Sequence, residues 1–456
     1  MSLIKSISGF RGTIGGVPHK NLTPIDIVQF AAAYGTWLRS RHAANIVILG
    51  RDARPSGEMV HNLVANTLVA LGFEVVDLGL STTPTVEMAV PDYGAAGGII
   101  LTASHNPVEW NALKMLNHKG EFVTQKDGQE ILDLVEKNQY RFAEVKNLGK
   151  ITYITDYIHT HIQKICALGM VDTYSIAKKN FKVVLDGVNS SGGVFVPMLL
   201  EALGVKEIVK LHCEPTGWFA HNPEPLKHNL TDICQKMKEE KADLGIVVDP
   251  DVDRLVFIDE QGEMFGEEYT LVAVADYVLQ HHKTPVVSNL SSSRALRDVA
   301  EKQGCRYYAS AVGEVNVTEI MKRHDAAIGG EGNGGIILPE LHYGRDALVG
   351  IGLFLSYLAK SGMTCSELRA TYPSYFMSKQ KIDLTEGQDV KGMFAAFKEK
   401  YKSEKINEID GLKVDFAESW VHLRTSNTEP IVRIYTEAKS QEEADALADR
   451  VKRELL

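Results

Sequence analysis

With 456 residues, 44% of them apolar and 24% charged, the chain is too long for one hydrophobic core and calls for roughly three or four domains. A formal net charge of −10 without a basic block argues against nucleic acid as a partner, and no apolar run reaches the roughly 18 residues a membrane-crossing helix needs. The five cysteines are scattered without a Cys-x-x-Cys pair, and residues 1–10 lack the apolar stretch of a signal peptide, so a reducing, cytoplasmic location is expected.

In chain order, Gly9-Phe10-Arg11-Gly12-Thr13 first sets an arginine among glycines. A β-branched run at 46–52 then ends in a polar turn before a helical segment, with further strands expected at 73–78 and 97–101. The last of these, Gly97-Gly98-Ile99-Ile100-Leu101, reads as a buried strand. It delivers Thr102-Ala103-Ser104-His105-Asn106-Pro107 to the carboxyl edge of a sheet, where open α/β sheets place their ligands. Ser104 can accept a phosphoryl group there, with His105 placed to steady the added charge. As ordinary turn chemistry the same residues would only close a bend or cap a helix. Lys114 follows ten residues after Ser104.

The rhythm returns twice. Strands are expected at 183–187, 205–211 and 243–248, and again at 286–290, 306–309 and 326–328. Three related α/β units with largely parallel sheets are therefore predicted, presenting equivalent edge loops to a shared cleft. The second unit's loop is Asp249-Pro250-Asp251-Val252-Asp253-Arg254. In an extended segment its carboxylates point the same way, and at about 4 Å each pair would repel by roughly 4 kcal/mol without a cation between them. Oxygen ligands suit Mg2+, Mn2+ or Ca2+ rather than Zn2+. An EF-hand does not fit, because Arg254 stands where its glycine belongs and residues 255–258 read as a strand; a solvated acidic turn is the plainer alternative. The third unit's loop, 329–335, is glycine-rich, with Glu331 and Asn333 able to bond vicinal sugar hydroxyls. It lacks the spacing and following helix of a nucleotide fingerprint, and a flexible turn would look the same.

Polar residues at 138–150, a hairpin turn at 259–262 and the segment 361–373 mark the borders of domains at 1–145, 146–258, 259–368 and 369–456. The last has a different texture and ends in a helix opened by Ser440-Gln441-Glu442-Glu443, with an apolar face of Ala444, Leu447, Val451 and Leu455. Within it, Arg424-Thr425-Ser426-Asn427-Thr428-Glu429-Pro430 lies between two strands. Its arginine can grip a phosphate among hydroxyl and amide donors, or be a surface residue on a polar hairpin. A Ser-His-Asp hydrolase is disfavoured, since no Gly-x-Ser-x-Gly elbow surrounds Ser104.

These four loops, in this order and over essentially the full length, resemble those of the α-D-phosphohexomutase superfamily of phosphoglucomutases, phosphomannomutases and phosphoglucosamine mutases. The resemblance implies an α/β protein: three similar mixed α/β domains plus a C-terminal TATA-binding-protein-like α+β domain around a central cleft. It implies Ser104 as the phosphoserine, with Asp249, Asp251 and Asp253 holding Mg2+ together with a phosphoserine oxygen. Glu331 and Asn333 would sit in the sugar loop, and Arg424, Ser426, Asn427 and Thr428 on the substrate's distal phosphate. Arg11, His105 and Lys114 match positions lining the reaction centre, and Arg254 one beside the metal loop. The implied reaction passes a phosphoryl group from serine to a phosphosugar, through a hexose bisphosphate that is both intermediate and activator, in a monomer or homodimer whose fourth domain hinges over the cleft.

The sequence also departs from the superfamily pattern. Asn333 and Gly335 stand where many members have Ser and His, and serine near Ser291 replaces a lysine of some phosphomannomutase/phosphoglucomutase enzymes. Val312-Gly313-Glu314 is nearer the Gly-Asp element of phosphoglucosamine mutases, which places Gly313 and Glu314 among the substrate-binding positions. The expectation is a phosphohexomutase tilted toward glucosamine phosphate, ahead of a phosphomannomutase/phosphoglucomutase. A non-catalytic sugar-phosphate scaffold and a Mg2+-dependent phosphatase stand behind these.

Overall fold

The computed structural model describes residues 2–6, 9–385, 388–425 and 430–455. The first of its four sheets has seven strands, in the order Ile4–Ser6, Gly9–Thr13, Trp110–Leu116, Gly97–Leu101, Ile46–Arg51, Glu74–Leu80 and Lys150–Tyr153. The second runs Leu255–Ile258, Leu244–Val248, Lys182–Asp186, Glu207–Leu211. The third runs Tyr307–Ser310, Val286–Asn289, Ile328–Glu331, Gly335–Ile337.

One topology underlies all three. Counting from the strands that open at Ile46, Lys182 and Val286, the four strands of each unit lie in the order second, first, third, fourth. The first three are parallel and the fourth is antiparallel. The sheets are therefore mixed rather than largely parallel, because each site loop doubles back into a strand beside the one it leaves. In the first unit that returning strand, Trp110–Leu116, is hidden in the sequence by Asn111 and Lys114, polar residues that are nonetheless buried.

The third strands, Gly97–Leu101 and Leu244–Val248, are buried along their whole length, as apolar runs covered by helices on both faces must be. Lys150–Tyr153, past the expected border at 145/146, pairs in parallel with Glu74–Leu80 and extends the first sheet. Asp259 and Gly262 close the expected hairpin turn, with Asp259 N–H on the Glu263 carbonyl at 2.8 Å.

The second and third units share one continuous apolar core, which also takes in Tyr372, beyond the expected border at 368/369. Phe257 of the second sheet stacks on Phe354 of the helix Ala347–Ser361 with centroids 3.8 Å apart. The first unit has a cluster on each face of its sheet; the second takes in Tyr157, and Val315 and Leu341 of the third unit pack against it.

The fourth unit is a five-stranded antiparallel sheet, Phe376–Asp383, Ile431–Ala438, Trp420–Thr425, Leu412–Asp415, Lys405–Asn407, packed with the helices Val390–Lys400 and Gln441–Leu455. Ser440 caps the last helix and Ala444, Leu447, Val451 and Leu455 are buried, as its sequence pattern predicts. Among the described residues no helix is long and apolar enough to cross a membrane.

Candidate active site

The edge loops of the three units converge. Ser104 leaves the strand Gly97–Leu101 in the left-handed backbone region, at φ 49°, and is 4% exposed. Its hydroxyl donates to Asp249 Oδ2 at 2.7 Å, across the boundary between the first two units. His105 Nδ1 lies 3.4 Å from the same hydroxyl. Beneath the loop, Ser104 N–H donates to Thr102 Oγ1, which donates to Asp52 Oδ2 at 2.7 Å.

Arg54 is the clamp. Its guanidinium pairs with Asp52 and donates to the carbonyls of Ser104, Asn106, Pro107 and Trp110, between 2.5 and 3.0 Å. Four of its five donors are held by carbonyls of the Ser104 loop and fix that backbone, while the fifth is held by Asp52. Arg11 Nη1 adds a bond to Asn106 Oδ1 at 3.0 Å.

Asp249, Asp251 and Asp253 are fully buried, and carboxylate oxygens of all three lie within 4.8 Å of one another. They do not line up along an extended strand. The chain turns, with Val252 at φ 63°, and the N–H groups of Asp253 and Arg254 both donate to Asp249 Oδ1, so alternation is not what gathers the carboxylates. Lys114 Nζ reaches Asp251 Oδ2 at 2.6 Å and Asp253 Oδ2 at 3.5 Å. Asp251 Oδ1 and Asp253 Oδ1 are buried with no hydrogen-bond partner among the described residues. Orphaned anionic oxygens of this kind, on three convergent carboxylates, fit a hard divalent cation.

Arg345 joins the third loop to the second. Its Nη2 donates to Asp253 Oδ2 at 2.6 Å, its Nη1 to Glu331 Oε2 at 3.0 Å and its Nε to Glu314 Oε2 at 2.9 Å. Glu331 Oε1 accepts from Gly313 N–H and Asn289 Nδ2. A cavity of about 340 Å³ opens above these groups; Arg11, Ser104, Lys114, Arg254, Glu314 and Glu331 line it, with Gly313 and His105.

Burial works against the Lys114 ammonium, yet Asp251 and Asp253 raise it above its ordinary value. Burial likewise opposes Asp251, but Lys114 holds its carboxyl below the usual range. At Asp249 burial wins, and repulsion from Asp251 and Asp253 pushes it well above that range. Burial, with Arg254 and Arg11 near, lowers His105 to about 2, so the imidazole facing Ser104 is neutral. The arrangement can receive a phosphoryl group on Ser104 and neutralise its oxygens.

Four domain models of the phosphoglucomutase/phosphomannomutase family match the chain in order: α/β/α domain I at 5–142, domain II at 156–262, domain III at 266–375 and the C-terminal domain at 380–454. The chain belongs to the phosphoglucomutase/phosphomannomutase family. It is a phosphohexomutase, an isomerase acting by phosphoryl transfer. A phosphoglucomutase/phosphomannomutase of Thermococcus kodakarensis is 36% identical to it over 440 residues, 95% of each chain. A phosphoglucosamine/phosphogalactosamine mutase of Sulfurisphaera tokodaii is 32% identical over 451 residues, 97% of this chain and 98% of its own. A phosphoglucomutase/phosphomannomutase family protein of Burkholderia thailandensis has the same fold, with a TM-score of 0.84 over 99% of this chain and 96% of its own, at 23% identity.

Within this phosphohexomutase the structure brings Arg11, Ser104, His105, Lys114, Arg254, Gly313, Glu314 and Glu331 to one cavity over the aspartate triad. Asn333 turns back on its own loop, its Oδ1 accepting from Gly335 N–H at 3.2 Å. Arg424 pairs with Asp410 at 2.9 Å and is not among the described residues lining that cavity. Ser426, Asn427 and Thr428 lie outside the described residues. Sequence reasoning missed Arg54 and Arg345. Arg54 had a faint signal, a charge two positions after Asp52 at the end of a strand; Arg345 stood only as a charged pair with Asp346 ahead of an apolar helix.

Proposed function

We propose that the chain is a phosphoglucosamine mutase, interconverting glucosamine 6-phosphate and glucosamine 1-phosphate through a phosphoserine at Ser104 and a hexose bisphosphate. The observation that carries this reading is one cavity lined by both signs of charge: Arg11, Lys114 and Arg254 with Ser104, and the carboxylates Glu314 and Glu331, which Arg345 holds. Cations suit the transferring phosphoryl group, and the carboxylate pair suits an ammonium on the sugar. Asp249, Asp251 and Asp253 would hold Mg2+, which supplies charge neutralisation at the phosphoryl oxygens. Lys114 and Arg11 steady those oxygens, and the clamp of Arg54 keeps the Ser104 hydroxyl aimed into the cavity. The phosphoryl group leaves Ser104 for the free sugar hydroxyl; the bisphosphate turns within the cleft and returns its other phosphate to Ser104. Arg424, with Ser426, Asn427 and Thr428, is proposed to grip the phosphate that is not reacting.

A phosphomannomutase/phosphoglucomutase is the second reading, favoured by the name of the 36%-identical relative. One coupled assay decides. Glucosamine, mannose and glucose phosphates, each primed with its bisphosphate, are compared on wild type and Ser104→Ala. The proposal requires glucosamine phosphate to give the highest kcat/KM and Ser104→Ala to lose turnover and the phosphorylated-protein mass. Preference for a neutral hexose replaces the first part, and undiminished Ser104→Ala activity removes the second.

A further inference from the structure

A second cluster lies at the carboxyl edge of the second sheet, on the strand beside the one that leads into the aspartate triad. Asp186 ends the strand Lys182–Asp186, His212 follows the neighbouring strand Glu207–Leu211, and His221 returns from the loop beyond. His212 Nδ1 lies 3.2 Å from Asp186 Oδ2, and His221 Nε2 lies 3.1 Å from the same oxygen. Asp186 is fully buried and its other oxygen accepts from Val188 N–H at 2.9 Å. The two rings are half-buried, so an ion can enter from solvent.

The groups on the far side of each ring bear on what belongs between them. His221 Nδ1 lies 2.8 Å from the carbonyl of Asn222, which can only accept, so that nitrogen carries the proton. A neutral His221 then aims a bare lone pair from Nε2 at a carboxylate oxygen. His212 Nε2 has the Asp232 carboxylate 3.7 Å away, near enough for a long-range attraction but beyond hydrogen-bond reach. Protons can satisfy the cluster, by charging His221 between the Asn222 carbonyl and Asp186 while a neutral His212 donates from Nδ1 to the same oxygen. A single divalent ion satisfies it with both rings neutral. Histidine ligands whose outward nitrogen is held by a carbonyl or carboxylate are the usual arrangement around a protein metal. Tetrahedral Zn2+ sites have ligand–ligand edges of roughly 3.3 Å, close to the separations here.

We propose that Asp186, His212 and His221 form a transition-metal site of the Zn2+ class, distinct from the hard-ion triad. The site ties the loop after His212 to the sheet end, and that loop presses on the clamp of the phosphoserine loop: Phe219 lies under the Arg54 guanidinium, 4.9 Å from its ring centroid. In a comparable group, His161, His342 and Asp346, the Thr85 hydroxyl can donate to His161 Nδ1, and His342 stands between Asp346 and Glu87.

The test uses Co2+ as the probe, added to chelator-treated full chain in excess Mg2+. One equivalent per chain is expected to give the intense visible absorption of low-coordinate cobalt, displaced by Zn2+. His221→Ala should abolish it, Asp232→Asn should weaken binding about tenfold or more, and His342→Ala and Asp251→Asn should leave it unchanged. Zn2+ should raise the thermal midpoint of the wild type and not of His221→Ala. Absence of the band in wild type, its survival in His221→Ala, or its loss in Asp251→Asn overturns the proposal. Should His221→Ala fail to fold, the wild-type titration and Asp232→Asn carry the decision.

Discussion

At the scale of single residues, the site is a set of buried charges each held by a named opposite. Glu314 shows the cost. Burial raises its carboxyl to about 7, Arg345 opposing and Asp253 and Glu331 adding to the rise. A folded-state value above the unfolded one favours the protonated form, so this contribution is complete below about pH 4 and is lost as pH rises through about 7. Glu314→Gln, which cannot ionise, is therefore expected to gain on the wild type between about pH 5 and 8, by up to about 3 kcal/mol. Urea midpoints of both proteins at the two pH values measure it; a constant gap refutes it. Arg54→Lys removes the fork that holds four carbonyls of the Ser104 loop. A roughly hundredfold loss of kcat/KM is expected with the circular dichroism unchanged, since misplacing a reacting group by about 1 Å costs that much. Neither arginine partnership was legible in the sequence, because Arg54 meets Ser104 across 50 positions and Arg345 meets Asp253 across 92. Side-chain type and spacing reveal a loop; they do not say which distant charge will neutralise it.

At the scale of elements, the threefold rhythm was visible because each third strand is an uninterrupted apolar run ending in polar residues. Of the antiparallel returns only the second unit's, at 255–258, read as a strand; buried Asn111 and Lys114 break the pattern of Trp110–Leu116, and only three residues make up Gly335–Ile337. The Asp249 turn was read as extended for a related reason: a valine in the left-handed region, as at Val252, has no sequence signature. The close approach of elements has its own test at Gly217. It sits at φ 71°, and a Cβ there would stand 1.9 Å from the Ala53 carbonyl, beside Arg54. Gly217→Ala should lower both the thermal midpoint and kcat, while KM for the phosphosugar moves little; scanning calorimetry and initial rates on one preparation show whether the two fall together.

At the scale of the whole molecule, the four units are joined by different forces. The second and third share a core, whereas the fourth keeps its apolar cluster to itself and meets its neighbour through polar contacts. Asp410 accepts from Val312 N–H at 2.9 Å, Lys413 Nζ donates to the Leu290 carbonyl at 2.7 Å, and Glu437 accepts from Arg294 N–H. Polar junctions of this kind separate before shared apolar cores do. In hydrogen exchange under rising urea, amides of Phe376–Asp383 and Ile431–Ala438 are expected to lose protection before those of Lys182–Asp186 and Val286–Asn289. Simultaneous loss would mean a single cooperative body.

The shared core sets a limit of another kind. The Asp249 turn and the Glu331 loop rest on the same apolar mass, so the span between them works as a rigid gauge. On the proposed reading a sugar phosphate seated there is the moving part: the ring revolves while the gauge stays put, and allowance for a bulkier ring falls to the first unit, one of whose apolar layers is its own.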